Sequence, residues 1–553
     1  MELSRFLRSK INYIDIILVI ILAIIATFIP FLNHFYNISP DGIYHLSRFQ
    51  SIADSLKNKE IPSILNFKYV SENSAVGVAI NSLYPWLTGL IFIIPNLMFQ
   101  NPMWGLAAGF LILNVITILT TRSLIRYISS DRLITYTGII IYQFNNYHFI
   151  DMYSRSAFGE SIAYAFLPLV VLGLLQINEL KKSGFLVLGL SMGLLINTHI
   201  ISFLFGIIMI LFDILYMCVT KKIRLYVLIE MAKAGLVGLI IGSYSVYNLL
   251  SIYLSNKINK PFKAISMIDM NTMLKTLFNN DIASENSIGW NLGLPVTILL
   301  IYLLVASYKS SDKAVWKKWI VGAGVSYLLI FNWWPIQKLV NTPLGIIQFY
   351  GRFFVVISLL ISVGYVLYLN HSQTNRRKLI FLNIIIIAFS LSAVYQNHYN
   401  YWTYRRSLTS SNYYSTLEKS YTFNDYLPIT KPKENTSALK INTRSSGRRS
   451  LTNDSITLKF NTSKRQIISL PIVMYKGKNY DIWVNNNKSH SLSPNFLKIQ
   501  ATKGNNTVKM VSVESNNNKS LLLFSITSFF AFSMYLIFIN HQSPHINKSN
   551  TYK

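Results

Sequence analysis

The chain of 553 residues is 52% hydrophobic and only 13% charged. Soluble domains carry about 25% charged residues, so most of this chain must be solvated by lipid, and a soluble globular protein is excluded. Its 51 Lys and Arg against 22 Asp and Glu give a formal charge of +29, which fits positive-inside loops and also affinity for an anionic lipid or polymer.

Arg5, Arg8 and Lys10 precede an apolar run from about Tyr13 to Leu32. The run is too long for a signal-peptide core and has no clean cleavage site, so an uncleaved first span is expected. Just beyond it lies Ser39-Pro40-Asp41-Gly42-Ile43-Tyr44-His45-Leu46-Ser47-Arg48. Asp41, His45 and Arg48 fall at roughly i, i+4 and i+7, on one face of an amphipathic helix that also carries Tyr44, Leu46, Phe49 and Ile52. A carboxylate there can serve as general base or hold a divalent cation that screens a phosphate. It can equally be the N-cap of its helix.

The segment from Leu83 to Phe99 is apolar but contains Pro85 and Pro95. A crossing there would put Arg122, Arg126 and Arg132 outside, so a helix lying on or dipping into the outer leaflet is expected. Placing the basic groups Arg122/Arg126/Arg132, Lys181/Lys182, Lys221/Lys222/Arg224, Lys313/Lys317/Lys318 and Arg376/Arg377/Lys378 in the cytoplasm fixes the rest. Crossings follow near 13–33, 104–121, 133–149, 161–178, 184–198, 200–218, 228–249, 291–308, 319–334, 353–369, 379–395 and 521–540. Both termini are then cytoplasmic.

The second cluster, Asp151-Met152-Tyr153-Ser154-Arg155-Ser156-Ala157-Phe158-Gly159-Glu160, joins two of these spans on the outer side. Snorkelling anchors are the plain explanation of ionisable residues at a boundary. Small neighbours around a paired arginine and acid point instead to a constructed site. His199, at the bend of a tight hairpin, is a weaker candidate. Gln348-Phe349-Tyr350-Gly351-Arg352-Phe353 opens a later span. Arg352 can make forked bonds to a phosphate while Phe349 and Tyr350 flank a lipid chain; an aromatic belt with a snorkelling arginine is the simpler alternative. Asp213 and Glu230 fall near cytoplasmic edges, and no run of ionisable residues sits at mid-membrane, as an ion-coupled carrier would need.

From 396 to 520 the composition turns to Asn, Ser, Thr and Lys, with 19 Lys and Arg against 6 Asp and Glu, a net +13. Alternating runs at 456–460, 480–484 and 496–500, separated by Gly/Asn/Lys turns, predict a small antiparallel β-sandwich. The expected fold is thus a polytopic α-helical membrane protein of about twelve transmembrane helices. Residues 1–395 form the membrane domain with its outer loops, 396–520 an extracytoplasmic β-rich domain, and 521–553 a final transmembrane helix and cytoplasmic tail.

Asp41-Gly42-x-x-His45-Leu46-x-Arg48, Arg155-Ser156-Ala157-x-Gly159-Glu160 and Gln348-Phe349-x-x-Arg352-Phe353 together resemble the bacterial membrane proteins called 6-pyruvoyl-tetrahydropterin-synthase-related. These are close to the YfhO-like family of the GT-C glycosyltransferase superfamily. The likeness covers most of the membrane region. The family more often reads Phe-Pro-Trp-Arg where Tyr350-Gly351 precede Arg352 here. The resemblance implies a bacterial plasma-membrane enzyme active on the extracytoplasmic face. Its donor would be a polyprenyl-phosphate sugar and its acceptor an anionic envelope polymer, such as a teichoic acid, a surface polysaccharide or a glycolipid.

On that reading Asp41, with Asp151 or Glu160, is catalytic. His45, Arg48, Arg155 and Arg352 bind the donor phosphate, Phe349 and Tyr350 line the lipid groove, and Asp41 with Asp151 would ligate any divalent cation, Mg or Mn. No nucleic-acid partner is expected. A lipid-linked saccharide flippase and a non-catalytic envelope-assembly protein that binds anionic polymer are the alternatives. The first needs a polar path through the spans. The second would tolerate loss of Asp41.

Overall fold

Helix dominates the computed structural model, at 64% of the residues it describes, because long apolar runs can satisfy their backbone groups internally only as helices. The structure describes residues 12–71, 74–259, 261, 263–283, 290–311, 314–372, 375–399, 406–419, 425–429 and 448–542. Arg5, Arg8, Lys10 and Lys313 of the expected basic groups lie outside them.

Seven helices among the described residues are long and apolar enough to cross a membrane: Tyr13–His34, Pro102–Ile128, Phe158–Asn178, Ile200–Val219, Tyr350–His371, Arg376–Tyr399 and Asn516–His541. Leu225–Ile241 and Ser243–Ser255, which meet at a 73° bend, pass the same test only when taken together. Gly184–Ile196 and Leu294–Lys309 are apolar but shorter. The segment Leu87–Met98 is another shorter apolar helix, well under the ~20 residues of a crossing. It carries Pro95 inside it and packs along the Pro102–Ile128 helix. Apolar side chains that point away from the protein mark the lipid-facing stripes, among them Ile17 and Ile20 of the first helix and Leu523, Phe530 and Met534 of the last.

Beyond the first span the chain makes a short strand, Tyr36–Ile38, paired antiparallel with Arg406–Leu408. It then enters the Pro40–Lys57 helix. That helix begins at Ser39, whose hydroxyl accepts from the Gly42 amide, with Pro40 at its first position. Its apolar face, with Leu46, Phe49 and Ile52, is buried against the bundle.

The late segment forms two sheets. Five antiparallel strands run in the order Arg448–Leu451, Ser455–Thr462, Gly504–Val513, Asn479–Val484, Asn487–Ser489. Gln466–Val473 and Phe496–Ala501 make the second sheet. Alternation places Ile456, Leu458, Phe460, Ile482, Val508 and Met510 on one buried face, with Met510 opposite both Ile456 and Ile482. Ile472, Val473, Phe496 and Ile499 of the second sheet enter the same core. So do Ile64, Leu65, Phe67, Val76 and Val78 from the stretch after the Pro40–Lys57 helix. Val76 pairs with Ile472 as a parallel bridge, and its amide and carbonyl bond Pro471 and Val473.

Candidate functional site

The three charged clusters meet at the ends of several helices. The segment Ile150–Ser154 is a π-helical turn that follows Asn146–Phe149. It is tied to the first helix through Tyr153, whose hydroxyl donates to the Ala26 carbonyl at 2.8 Å. The chain then turns sharply at Ser156, which has φ +51°. Tyr36 reaches this turn with one hydroxyl, donating to the Met152 carbonyl at 3.0 Å and meeting Ser156 Oγ at 3.1 Å.

The Pro40–Lys57 helix lands on the same turn. Ser39 Oγ donates to the Arg155 carbonyl. A Cβ on Gly42 would lie 2.5 Å from Ser156 Cβ and 2.7 Å from Ile38 Cγ1, so only glycine lets the two backbones approach this closely.

Arg155 and Glu160 are the hub. Arg155 Nη1 donates to Asp151 Oδ1 at 3.2 Å and to Glu160 Oε2 at 3.0 Å. Arg352 Nε donates to the same Glu160 oxygen at 3.1 Å, while its Nη1 donates to the Ile347 carbonyl at 2.7 Å. Tyr147 donates to the other Glu160 oxygen at 2.5 Å. Ser161 Oγ donates to Asp151 Oδ2 at 3.2 Å. The Arg155 guanidinium stacks over Trp290 at 4.8 Å, and Arg352 lies 5.3 Å from the Phe349 ring centre. These carboxylates serve to fix two arginines in place.

Asp41 differs. Half of its side chain, 53%, is accessible, and its nearest titratable neighbour is His45, with Nε2 3.7 Å from Oδ1. Capping falls to Ser39, so the carboxylate is not used by its own helix. Desolvation by the protein packed around it raises its pKa above the usual carboxylate range. Arg155 and Arg352 oppose that rise, Glu160 adds to it, and Arg48 opposes it more weakly. Asp41 therefore lies within electrostatic reach of the arginine pair. Asp151 is pushed well up, first by burial and then by Glu160, against the pull of Arg155.

His45 is buried, touches the Tyr84 ring edge-on at 4.8 Å, and leaves Nδ1 without a partner among the described residues. Burial, together with the charges of Arg48 and His199, holds its pKa well below 6.5, so the ring is neutral. Arg48 is turned away from Asp41. It donates to the carbonyls of Tyr84 and Pro85 at 2.7 and 3.1 Å and packs over Phe49 and Tyr84, each at 5.0 Å. His199 bonds Ser202 and lies 5.6 Å from the Tyr84 ring, within electrostatic reach of Glu160 and both site arginines. Phe349 is half-buried beside Trp290, and Tyr350 is buried with its hydroxyl unpartnered among the described residues.

Tyr147, Ser161, Tyr84 and Trp290 complete the site without having been read from the sequence. Tyr147 stands four residues before Asp151, and that spacing could have flagged it. Trp290 arrives from a distant loop and carries no local signal. Among the described residues no group of three or more His, Cys, Asp or Glu is arranged to hold a metal ion. Both Asp151 oxygens are engaged by Arg155 and Ser161, which leaves Asp41 as the carboxylate with uncommitted lone pairs. The donor set suits cationic side chains facing an anion better than a resident divalent cation. No family model matches the chain, and no curated protein matches it.

Proposed function

We propose that the protein is a GT-C-like membrane glycosyltransferase that moves a sugar from a polyprenyl-phosphate donor to a hydroxyl of an anionic cell-envelope acceptor. The observation that carries this is the pairing of one open, uncommitted carboxylate, Asp41, with two arginines that Glu160 and Asp151 hold rigid. Three motifs from residues 41–48, 151–160 and 348–353 supply these groups, and the same motifs resemble the YfhO-like proteins.

In the reaction Asp41 takes the proton of the acceptor hydroxyl. The freed oxygen attacks the anomeric carbon, and the bond from that carbon to the phosphate oxygen breaks. The electron pair leaves with the polyprenyl phosphate, whose growing negative charge Arg155 and Arg352 stabilise. Arg352 offers Nη2, which has no partner among the described residues. Phe349 and Tyr350 stand where the first isoprene units would run. His45, neutral beside Asp41, positions the carboxylate.

The reading places the site on the extracytoplasmic face of a bacterial plasma membrane, in a domain of about twelve crossings. The β-rich segment, with its +13 charge, would attract the polyanionic acceptor.

The test is sugar transfer from a polyprenyl-phosphate donor to envelope polymer in membranes of a deletion strain. Asp41→Asn should lower turnover roughly 100-fold or more without loss of folded protein, since the side chain neither caps nor packs. Arg352→Lys should also impair transfer, because a point charge cannot both hold Glu160 and present a fork. Near-normal transfer by a well-folded Asp41→Asn protein would sink the catalytic reading and favour an assembly protein.

A further inference from the structure

A second charged recess lies at the opposite end of the first helix. Asp15 sits in the first turn of Tyr13–Phe28, Arg122 and Arg126 lie near the end of Pro102–Ile128, and Arg132 opens Arg132–Gln143. Between Asp15 and Phe28 the first helix rises about 20 Å, so this recess is separated from the Asp41 cluster by most of the bundle.

The recess has a volume of about 280 Å³ and is lined by three arginines and a single aspartate, with Ser130 and Tyr136 among its neutral walls. Asp15 is already shared: Arg122 Nη2 reaches Oδ2 at 2.8 Å, Arg132 Nε reaches Oδ1 at 3.1 Å, and Tyr136 donates at 3.3 Å. Arg126 bonds the Ser130 carbonyl and has no carboxylate within ion-pair distance among the described residues. The neighbouring Asp131 gives no relief, because it pairs with Arg376 at 3.0 Å and accepts from the Ile134 amide at 3.0 Å.

Three guanidinium groups line the recess with one carboxylate, which pairs with only two of them, and they repel one another unless a second anion joins them. Planar forks converging on a concave space match the oxygens of a phosphate. The volume holds a phosphate with a short polar substituent, and Tyr13, Ile14 and Ile17 beside the recess expose an apolar stripe suited to acyl chains.

We propose that this recess binds a phosphate group through Arg122, Arg126 and Arg132. The source is either the headgroup of an anionic phospholipid or a free phosphate. The site is independent of the transfer reaction proposed above.

The experiment uses the full-length protein. Native mass spectrometry measures phospholipid retained after reconstitution in phosphatidylcholine nanodiscs containing phosphatidylglycerol. Thermal unfolding in detergent is followed with inorganic phosphate against chloride at matched ionic strength. Preferential retention of phosphatidylglycerol, with no effect of inorganic phosphate, supports a headgroup site. A rise in Tm with inorganic phosphate supports a free-phosphate site.

Arg126→Gln and the exposed Arg132→Gln should each weaken the effect by about tenfold. Lys182→Gln, on another exposed loop, should leave it unchanged. Arg126 carries no ion pair, so its replacement leaves the Asp15–Arg122 contact in place. Equal retention of the two lipids together with no phosphate effect overturns the proposal. So does parental binding by both arginine variants, or an equal loss in Lys182→Gln.

Discussion

Asp41 and Asp151 lie near the same arginine but in different surroundings. Asp151 is fully buried, is bonded through both oxygens, and has its pKa pushed well up by burial against the pull of Arg155. Asp41 is half open and has a raised pKa that two guanidinium groups restrain. A base must be ionised to take a proton, so transfer should rise with pH along a limb centred above 3.8, the ordinary aspartate value. His45 contributes no limb near 6.5, since burial keeps it neutral well below that pH. A pH–rate profile of kcat/KM should therefore keep its acid limb in His45→Gln and lose it in Asp41→Asn. If the limb follows His45 instead, the base has been misassigned. The identity of the charged residues was legible in the sequence; the division of labour among them was not. Asp41 was an equally good N-cap on paper until Pro40 is placed at the first helical position, which makes Ser39 the cap. Arg48 shared a helical face with Asp41 in the heptad-like spacing, yet its length lets it reach the Tyr84 and Pro85 carbonyls instead.

At the scale of the element, the loop before the Tyr350–His371 span owes its shape to one contact. A Cβ on Gly351 would lie 1.4 Å from Trp290 Cε3, so the indole lies flat against this glycine. The same ring stacks on Arg155 at 4.8 Å and lies 5.6 Å from Phe349. A tryptophan from a distant loop thus occupies the space beside the Arg352 motif. The short parallel pairing of Ile265–Ser266 with Gln348–Phe349 holds that motif against its neighbouring loop. Gly351→Ala must expel the ring, at a cost of about 1–3 kcal/mol for overpacking. It should lower Tm and weaken transfer through a mispositioned Arg155. A Tm equal to the parent's would show that the loop yields and that the indole does not brace the arginine. No local sequence signal joins Gly351 to Trp290, because their contact depends on how separate helices pack.

At the scale of the whole molecule, sidedness rests on the basic groups. Replacing the exposed Cys218 with Ser clears the background, after which Asn58→Cys should label from outside intact cells and Ser130→Cys should be protected; both positions are exposed. The reverse labelling would invert the topology and move the Asp41 cluster to the cytoplasmic side. The late strands were legible because period-two alternation needs only neighbours in sequence, and Ile456, Leu458, Phe460, Ile482, Phe496 and Ile499 are buried as that pattern requires, while Val484, expected in the same core, is only half-buried at its edge. What the pattern could not reveal is that their core is completed by residues almost 400 positions earlier. Phe67 is fully buried against the sheet residues, and Val76 adds hydrogen bonds to Pro471 and Val473. A division at 395/396 therefore cuts through a shared apolar core. An isolated 448–513 fragment would expose Leu470, Ile472 and Val473, which the 64–79 stretch covers. It should unfold without cooperativity, and linking residues 61–83 to it should restore a single transition. Phe67→Ala in the full chain should cost about 3–5 kcal/mol of stability in the sheet region, as removal of a buried ring does. Hydrogen exchange of the 455–462 and 504–513 amides reads that loss directly. Unchanged protection of those strands in Phe67→Ala would show that the sheets stand without the early segment.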